Sequence, residues 1–358
     1  MRQDVIAHSA ALTALKLQWL EERLAWFRSL RFGVIIHWAP YSQWDCCESW
    51  PLVPEDDWAR NDDMQCWTER GKDIARFQRD YWDLARTFDP KRFDARAWAE
   101  TIAGAGAKYV CFTTKHHDGF CMWDTVTTDY RITGEICPFH NDPRSDITKE
   151  LFNACRDAGL GISVYFSKAD WHCPDYWDPT KNPFHRGANT LDDPAQWERF
   201  VRYTHNQIRE LMSDYGKIDI LWLDAGWVRD KEDIRMAEMV AMARELQPGL
   251  IVANRTVGDA FEDFVTPERE LPDEALPETW EACLPICSNW KYIEGEVPRS
   301  AEEVVKEIRY ANERGGNFLL GIGPRPDGTF PPEVDAVMRQ IGELLASTPA
   351  DDRAHNRQ

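Results

Sequence analysis

Short, continuous apolar runs alternate with longer amphipathic stretches along most of the chain. Continuous runs are typical of strands buried on both faces of a parallel sheet, and they predict strands at 31–38, 108–114, 161–167, 218–224, 250–255 and 317–322. Apolar residues at helical spacing predict helices over 11–30, 93–106, 147–158, 196–214, 230–246, 301–314 and 331–345. Between residues 256 and 300 the predicted strands are short and hard to place.

A strand followed by a helix at this spacing implies a parallel sheet, and the polar residues that end several strands favour a (β/α)8 TIM-like barrel. We therefore expect a single α/β catalytic domain over residues 1–358, with a core from about 20 to 345 and a frayed tail over 346–358. Two long stretches without a regular pattern, roughly 39–75 and 170–194, interrupt the alternation. Loops of this length in compact domains are usually functional, so both are expected to border the site.

The charge balance disfavours nucleic acids and anionic membranes as partners. The chain has 42 Lys and Arg against 61 Asp and Glu, a formal net charge of −19. Its 17 tryptophans supply flat indole faces on which the C–H face of a sugar can lie, although ordinary core packing accounts for many of them. A neutral carbohydrate or glycan ligand is therefore expected, and assembly into a homo-oligomer is left open.

The ten cysteines are scattered and include no metal-like CxxC pair. The first 30 residues lack a basic segment followed by a clean apolar one, and no run approaches the roughly 20 apolar residues of a membrane span. Reduced thiols and this N-terminal sequence favour a cytoplasmic protein, although removal of a signal peptide would leave the same pattern.

The strand predicted at 218–224 ends in a carboxylate, Asp224, which a Gly226-Trp227 turn follows. In a (β/α)8 barrel the C-terminal ends of the strands face the pocket, so Asp224 is a candidate catalytic carboxylate. The alternative is that Asp224 caps the next helix.

Histidines follow two of the predicted strands. Adjacent residues at a strand end point in different directions, so His116 and His117 are not expected to form the i, i+4 pair of a helical zinc site, and no metal is predicted. A neutral imidazole offers one donor and one acceptor. His37, His116 and His117 are therefore expected to bind ligand hydroxyls, with orientation of the loop backbone as the alternative for His117.

Several segments occur in a fixed order at consistent separations. They read RFGVIIHW from Arg31, AKYV from Ala107, TKHHDGF from Thr114, ILWLD from Ile220, GGNFLL from Gly315 and GPRPDG from Gly323. Together they resemble the signature segments of glycoside hydrolase family 29, the α-L-fucosidases, over roughly residues 20–345. The resemblance implies a (β/α)8-like barrel and a retaining mechanism. Family members commonly continue into a C-terminal β-sandwich, which is not expected in a chain that stops at Gln358.

The resemblance also implies roles for individual residues. The family's strand-end nucleophile matches Asp224, and its acid/base segment resembles Asn254-Arg255 followed by FVTPE, which makes Glu268 the acid/base. The competing carboxylates for that second role are Glu262, Glu270 and Glu281. The residues expected to bind the substrate are His37, His116, His117, Tyr165, Arg255, Trp222, Glu48 and Trp50. The Glu48 and Trp50 spacing departs from the family's Glu-Trp pair, and Tyr165 has a core position as its alternative.

The leading hypothesis is a retaining exo-α-L-fucosidase that acts by double displacement without a cofactor. A second hypothesis keeps the fold and mechanism but changes the sugar to α-L-galactose, since L-fucose is 6-deoxy-L-galactose. A third, from another class, is a catalytically silent sugar-binding barrel. The presence of both Asp224 and Glu268 counts against the third.

Overall fold

The computed structural model describes residues 18–181, 184–255 and 257–347. Seven parallel strands form one curled sheet in the order β5-β4-β3-β2-β1-β7-β6. The strands are β1 Phe32–Ile36, β2 Tyr109–Lys115, β3 Gly161–Ser167, β4 Ile220–Asp224, β5 Ile251–Asn254, β6 Glu281–Pro285 and β7 Asn317–Ile322. The helices are α1 over 18–30, α2 Gln65–Thr68, α3 Ile74–Trp82, α4 Ala95–Gly104, α5 Ile147–Asp157, α6 Pro194–Asp214, α7 Met236–Leu246, α8 Ala301–Glu313 and α9 Pro332–Ala346.

Alternate residues of each strand pack into two separate cores, because successive side chains of a strand point to opposite faces. Val34 and Ile36 of β1 pack on the side of the helices. Ile35 belongs to a second cluster inside the curl, with side chains from the other strands. Leu24 and Phe27 of α1 complete this inner cluster, so α1 covers one end of it.

The two edge strands of the sheet are linked by an irregular segment, residues 263–269. The Asp263 N–H donates to the Val252 carbonyl of β5 over 2.8 Å. Farther along the segment, the Cys283 N–H of β6 donates to the Pro267 carbonyl over 2.9 Å, and the Arg269 N–H donates to the Cys283 carbonyl over 2.8 Å. These bonds fix the segment that carries Glu268 beside the carboxyl end of β6.

The six predicted strands are confirmed, as are the predicted helices where the structure describes them, with bounds that shift by a few residues. Two expectations need correction. The stretch 39–75 is not irregular throughout, because it contains three short 3-10 turns, α2 and the start of α3. Helix α7 begins at Met236 rather than at 230, because 230–232 form a separate turn and Arg235 has a φ of 57°.

Three further expectations concern termini, membranes and thiols. The predicted helical residues 11–17 and the predicted tail from 348 onward lie outside the described residues. In the described parts of the chain, no helix combines the length and apolarity needed to cross a bilayer. All ten cysteines are free thiols.

Candidate active site

A small cavity opens at the carboxyl ends of the strands. Its volume is about 60 Å³, room for a few water molecules. The lining residues are Ile35, His37, Glu48, Trp50, His116, Tyr165, Trp222, Asp224, Arg255, Glu268, Cys283 and Trp290. The fold thus gathers at one cavity nine of the ten residues that the sequence placed in the site, and the tenth, His117, lies directly behind Asp224.

Asp224 is the last residue of β4, and its carboxylate is held from several sides. The Tyr165 hydroxyl donates to Oδ2 over 2.5 Å, and Arg255 Nη1 donates to Oδ1 over 2.9 Å. The Ala225 N–H also donates to Oδ1 over 2.7 Å. The side chain caps no helix, since α7 begins only at Met236, so the capping alternative is wrong.

Electrostatics keep Asp224 ionised. Burial is the largest single influence and would raise the pKa of this carboxyl, but the charge of Arg255, the nearby His117 and the Tyr165 hydrogen bond together more than offset it. The net result is a pKa well below the ordinary value of an aspartate. A buried, ionised and positioned carboxylate is suited to attack an electron-poor carbon.

Arg255 also binds the second carboxylate of the site. Its Nη2 donates to Glu268 Oε2, while its Nη1 donates to Asp224. Both carboxylates therefore accept hydrogen bonds from the same guanidinium. The Asp224 side chain is 10% exposed and that of Glu268 is 36% exposed, so Glu268 is the more accessible to solvent.

The competing carboxylates do not line the cavity. Glu262 accepts from the Gly258 N–H within its own loop, and Glu270 is exposed. Glu281 lies in the interior beneath Trp222, where it accepts hydrogen bonds. This geometry favours Glu268 over the three alternatives for the acid/base role.

The three predicted histidines are buried and neutral. Burial lowers the pKa of His37 to about 3 and that of His117 to about 4, and the nearby charge of Asp224 only partly offsets it. Burial also holds the pKa of His116 well below its usual value. Each ring therefore keeps one donor and one acceptor nitrogen at neutral pH.

The hydrogen bonds around His117 fix its tautomer. Ser167 Oγ donates to the Ala169 carbonyl over 2.8 Å, so the same oxygen accepts from His117 Nδ1, 2.6 Å away. Nε2 is then the acceptor nitrogen. It is buried, it has no hydrogen-bond partner among the described residues, and it lies 3.7 Å from Asp224 Oδ2. A ligand hydroxyl placed there can donate a hydrogen bond to His117 Nε2.

The expectation that the two adjacent histidines diverge is wrong. Strand β2 ends at Lys115, and a turn follows that brings the rings of His116 and His117 to a centroid distance of 4.2 Å. One ligand atom from each of them and one from Asp224 lie within 4.8 Å of one another, a group that could hold a metal ion. The Arg255 cation, 2.9 Å from Asp224, disfavours a second cation at this place.

The floor beneath the cavity is a buried hydrogen-bonded unit around Glu281, whose Trp280-Glu281-x-Cys283 segment resembles another family segment that implies a substrate-side or supporting role. Trp222 stacks on Tyr165 with centroids 5.3 Å apart, and its Nε1 donates to Glu281 over 3.1 Å. Glu281 also accepts from the Tyr109 hydroxyl. Gly33 makes room for the Tyr109 ring, because a Cβ there would lie only 2.4 Å from Tyr109 Cζ. Burial raises the pKa of Glu281 to about 7, although both hydrogen bonds lower it.

Replacing Glu281 by glutamine should change how stability depends on pH. Since the folded-state pKa of about 7 exceeds the ordinary 4.5, ionisation of Glu281 destabilises the fold as pH rises through this window. Glu281→Gln removes this pH-dependent loss of stability, because glutamine does not ionise. The free energy of unfolding of the variant should gain about 2 kcal/mol on wild type between pH 5 and pH 8. Denaturant titrations of both proteins at pH 5 and pH 8 measure the free energies of unfolding. If the difference between variant and wild type were the same at both pH values, Glu281 would not be the buried acid that ionises in this window.

The stretch 39–75 supplies two wall residues. Glu48 is buried, and burial raises its pKa to about 7 although the charge of Lys291 lowers it. Its Oε1 accepts from the Lys291 N–H over 3.2 Å. Trp50 packs edge-on against His117, with ring centroids 4.9 Å apart. Both side chains line the cavity despite their unusual spacing in the sequence.

Three lining residues were not predicted, namely Ile35, Cys283 and Trp290. Trp290 stacks on His37 with centroids 5.2 Å apart and an interplanar angle of 29°. Arg269 lies over the Trp290 ring, 5.2 Å from its centroid. The only sequence signal for this residue was the Ser288-Asn289-Trp290 segment, in a region where no strand pattern was evident.

Comparisons with known proteins identify the family of the chain. The sequence model of the α-L-fucosidase family matches residues 8–348, so the chain belongs to this family, glycoside hydrolase family 29. A putative α-L-fucosidase of Caenorhabditis elegans is 25% identical over 346 residues, which cover 90% of this chain and 65% of that protein. The chain thus spans slightly less than two thirds of that relative's length.

Solved structures of the family share the fold. α-L-Fucosidase isoenzyme 1 from Paenibacillus thiaminolyticus is 29% identical, with a TM-score of 0.73 over 92% of this chain and 76% of that chain. An α-L-fucosidase from Bacteroides thetaiotaomicron is 28% identical, with a TM-score of 0.70 over 89% of this chain and 73% of that chain. The latter was trapped as a covalent intermediate in complex with 2-fluoro-fucosyl fluoride.

Proposed function

We propose that the protein is a retaining exo-α-L-fucosidase. The observation that carries the proposal is the pairing of the buried, ionised Asp224 with the more exposed Glu268 across Arg255. Two neighbouring carboxyl groups, one a nucleophile and the other an acid, are what a double displacement at a sugar carbon needs. The nine predicted site residues that converge on one small cavity, rather than along an open groove, support action on a terminal sugar.

In the first step Asp224 attacks the anomeric carbon of a terminal α-L-fucoside. The bond from that carbon to the leaving oxygen breaks, the carboxyl group of Glu268 gives its proton to this oxygen, and a glycosyl ester forms on Asp224. In the second step Glu268, now ionised, takes a proton from water as the water oxygen attacks the same carbon. The ester bond breaks, Asp224 regains its charge, and the released sugar has the configuration of the substrate.

Glu268 must carry a proton before it can act as an acid, whereas its pairing with Arg255 favours the ionised form. We infer that the bound substrate separates Glu268 from Arg255 and leaves the guanidinium to Asp224. Hydrogen bonds hold the backbone of 263–269, but the Glu268 side chain is 36% exposed and has room to change its rotamer. The cation then stabilises the nucleophile, while the acid faces the leaving group.

Sugar hydroxyls are proposed to bind the neutral rings of His37, His116 and His117. His37 Nδ1 and His117 Nε2 are buried, and neither has a hydrogen-bond partner among the described residues. Buried polar atoms of this kind are costly to leave unmatched, so a ligand that satisfies them gains affinity. Tyr165 and Trp222 would support the ring from below.

We also infer that residues 263–269 take the place of an eighth strand and complete a (β/α)8 barrel. Their hydrogen bonds to β5 and β6 support this, as does the core from about 20 to 345 expected from the sequence. The proposed ligand is a small carbohydrate or the terminal sugar of a glycan.

A panel of aryl glycosides tests the proposed function. The enzyme should hydrolyse an aryl α-L-fucoside, with much less activity on the α-L-galactoside and none on the β-D-galactoside. EDTA should not change the rate, because no step of a two-carboxylate mechanism needs a cation. A preference for the α-L-galactoside would move the substrate to that sugar. No hydrolysis of any α-L-glycoside would favour a silent binding protein.

A further inference from the structure

One exposed tryptophan stands beside the cavity. Trp58 is 57% exposed, and it lies in a short turn of the 39–75 stretch. Its ring centroid is 5.9 Å from that of Trp50, which lines the cavity. Single exposed apolar side chains are common, so exposure alone assigns no role to Trp58. Its neighbours do.

The Trp58 indole is held in one orientation. Its Nε1 donates to Asp56 Oδ1 over 3.0 Å, and Arg186 Nη2 donates to the same oxygen over 2.5 Å. The Arg186 guanidinium also lies 5.0 Å from the Trp50 centroid and 5.4 Å from the Trp227 centroid. A hydrogen bond to a buried carboxylate thus ties the exposed ring to the wall of the cavity.

The backbone beneath these rings is pinned as well. Arg60 Nη1 donates to the Pro51 and Val53 carbonyls over 3.0 and 2.7 Å, and its Nη2 donates to the Pro54 carbonyl over 2.7 Å. Since these bonds order the loop before any ligand arrives, binding to it loses less conformational entropy.

Polar groups for a ligand lie in the same place. The Asp56 side chain is 7% exposed, and its Oδ2 is buried without a hydrogen-bond partner among the described residues. The Arg186 side chain is 44% exposed, and a guanidinium has more donors than its bond to Asp56 uses. A flat indole face flanked by such groups matches a pyranose, which has apolar C–H faces and hydroxyl edges.

We propose that Trp58, Trp50 and Arg186 form the subsite for the sugar to which the terminal fucose is attached. The inference rests on the proposed function. An exo enzyme encloses one sugar, so the next sugar of the glycan must lie at the mouth of the cavity. Trp50 belongs to the cavity wall, and Trp58 continues that wall into solvent. The leaving-group sugar stacks on the Trp58 ring, and its hydroxyls bind Arg186.

The test compares two substrates that differ only on the leaving-group side. One is α-L-fucosyl fluoride, whose leaving group is a single atom, and the other is the fucosyl disaccharide that the wild-type enzyme cleaves best. Trp58→Ala should lower the ratio of kcat/KM for the disaccharide to kcat/KM for the fluoride by roughly tenfold, mainly through KM. Trp58→Phe keeps a flat ring and should retain most of the ratio.

Trp26→Ala is the matched control, because Trp26 on α1 lies beside Gly161 at the start of β3, the opposite end of the sheet. It should not change the ratio. An unchanged ratio in Trp58→Ala would overturn the subsite, as would an equal loss on both substrates. If the wild-type enzyme did not hydrolyse α-L-fucosyl fluoride, the proposed fucosidase function would be refuted, and the subsite proposal that rests on it would be refuted as well.

Discussion

Asp224→Gly should lower kcat for an aryl α-L-fucoside by on the order of 10³- to 10⁴-fold, as removal of a single essential catalytic side chain does in other hydrolases. The substitution deletes the nucleophile, and no glycosyl ester can then form on the protein. The hydrophobic cluster inside the curled sheet does not include the Asp224 side chain, so the variant should still fold. Azide should restore part of the rate, because a small anion can occupy the vacated space and attack the sugar. Steady-state kinetics with and without azide measure both effects.

Asp230→Gly is the control for that variant. Its carboxylate is 88% exposed, and its backbone has a φ of 51°, which glycine adopts readily. This variant should keep wild-type activity. An Asp224→Gly enzyme within tenfold of the wild-type rate would remove Asp224 from the nucleophile's role.

Glu268→Ala should separate substrates by their leaving groups. Without an acid the leaving oxygen departs as an anion, which an activated aryl group tolerates and a sugar does not. We expect a loss of roughly 10²- to 10⁴-fold on a fucosyl disaccharide and a far smaller loss of the first step with an activated aryl fucoside. The wild-type rate should fall as alkaline pH removes the proton of the acid. That alkaline limb should flatten in Glu268→Ala.

Glu270→Ala provides the comparison, because Glu270 is an exposed carboxylate only two residues away and does not line the cavity. It should behave like wild type on both substrates. An alkaline limb that persisted in Glu268→Ala would transfer the acid/base role to another group. Glu48 would then be the first candidate, because it is the remaining acidic side chain among the residues that line the cavity.

Much of the sheet was predictable because its strands are buried on both faces and therefore appear as continuous apolar runs. β3 was predicted at its observed bounds, 161–167. Polar residues at the ends of such runs also predicted where the site lies. His37, His116 and Asp224 come together because parallel strands share one carboxyl edge.

The remaining features depend on contacts that have no periodic signal. Strand β6 could not be placed because its five residues include Glu281, an acid that a strand buries only when partners such as Tyr109 and Trp222 satisfy it. Trp290 reaches the cavity from an irregular segment. The directions of His116 and His117 depend on the turn after β2, and strand geometry alone gave the wrong expectation.

Trapping with 2-fluoro-fucosyl fluoride tests the central claim most directly. The fluorine at C2 destabilises the oxocarbenium-like transition state of both steps, whereas fluoride at C1 leaves readily, so the glycosyl ester accumulates. The protein should gain the mass of one 2-fluorofucosyl group, and peptide mapping should place it on Asp224. Asp224→Gly should gain none. Labelling of a different carboxylate, or rapid turnover of ordinary fucosides with inverted configuration and no labelled species, would contradict the account.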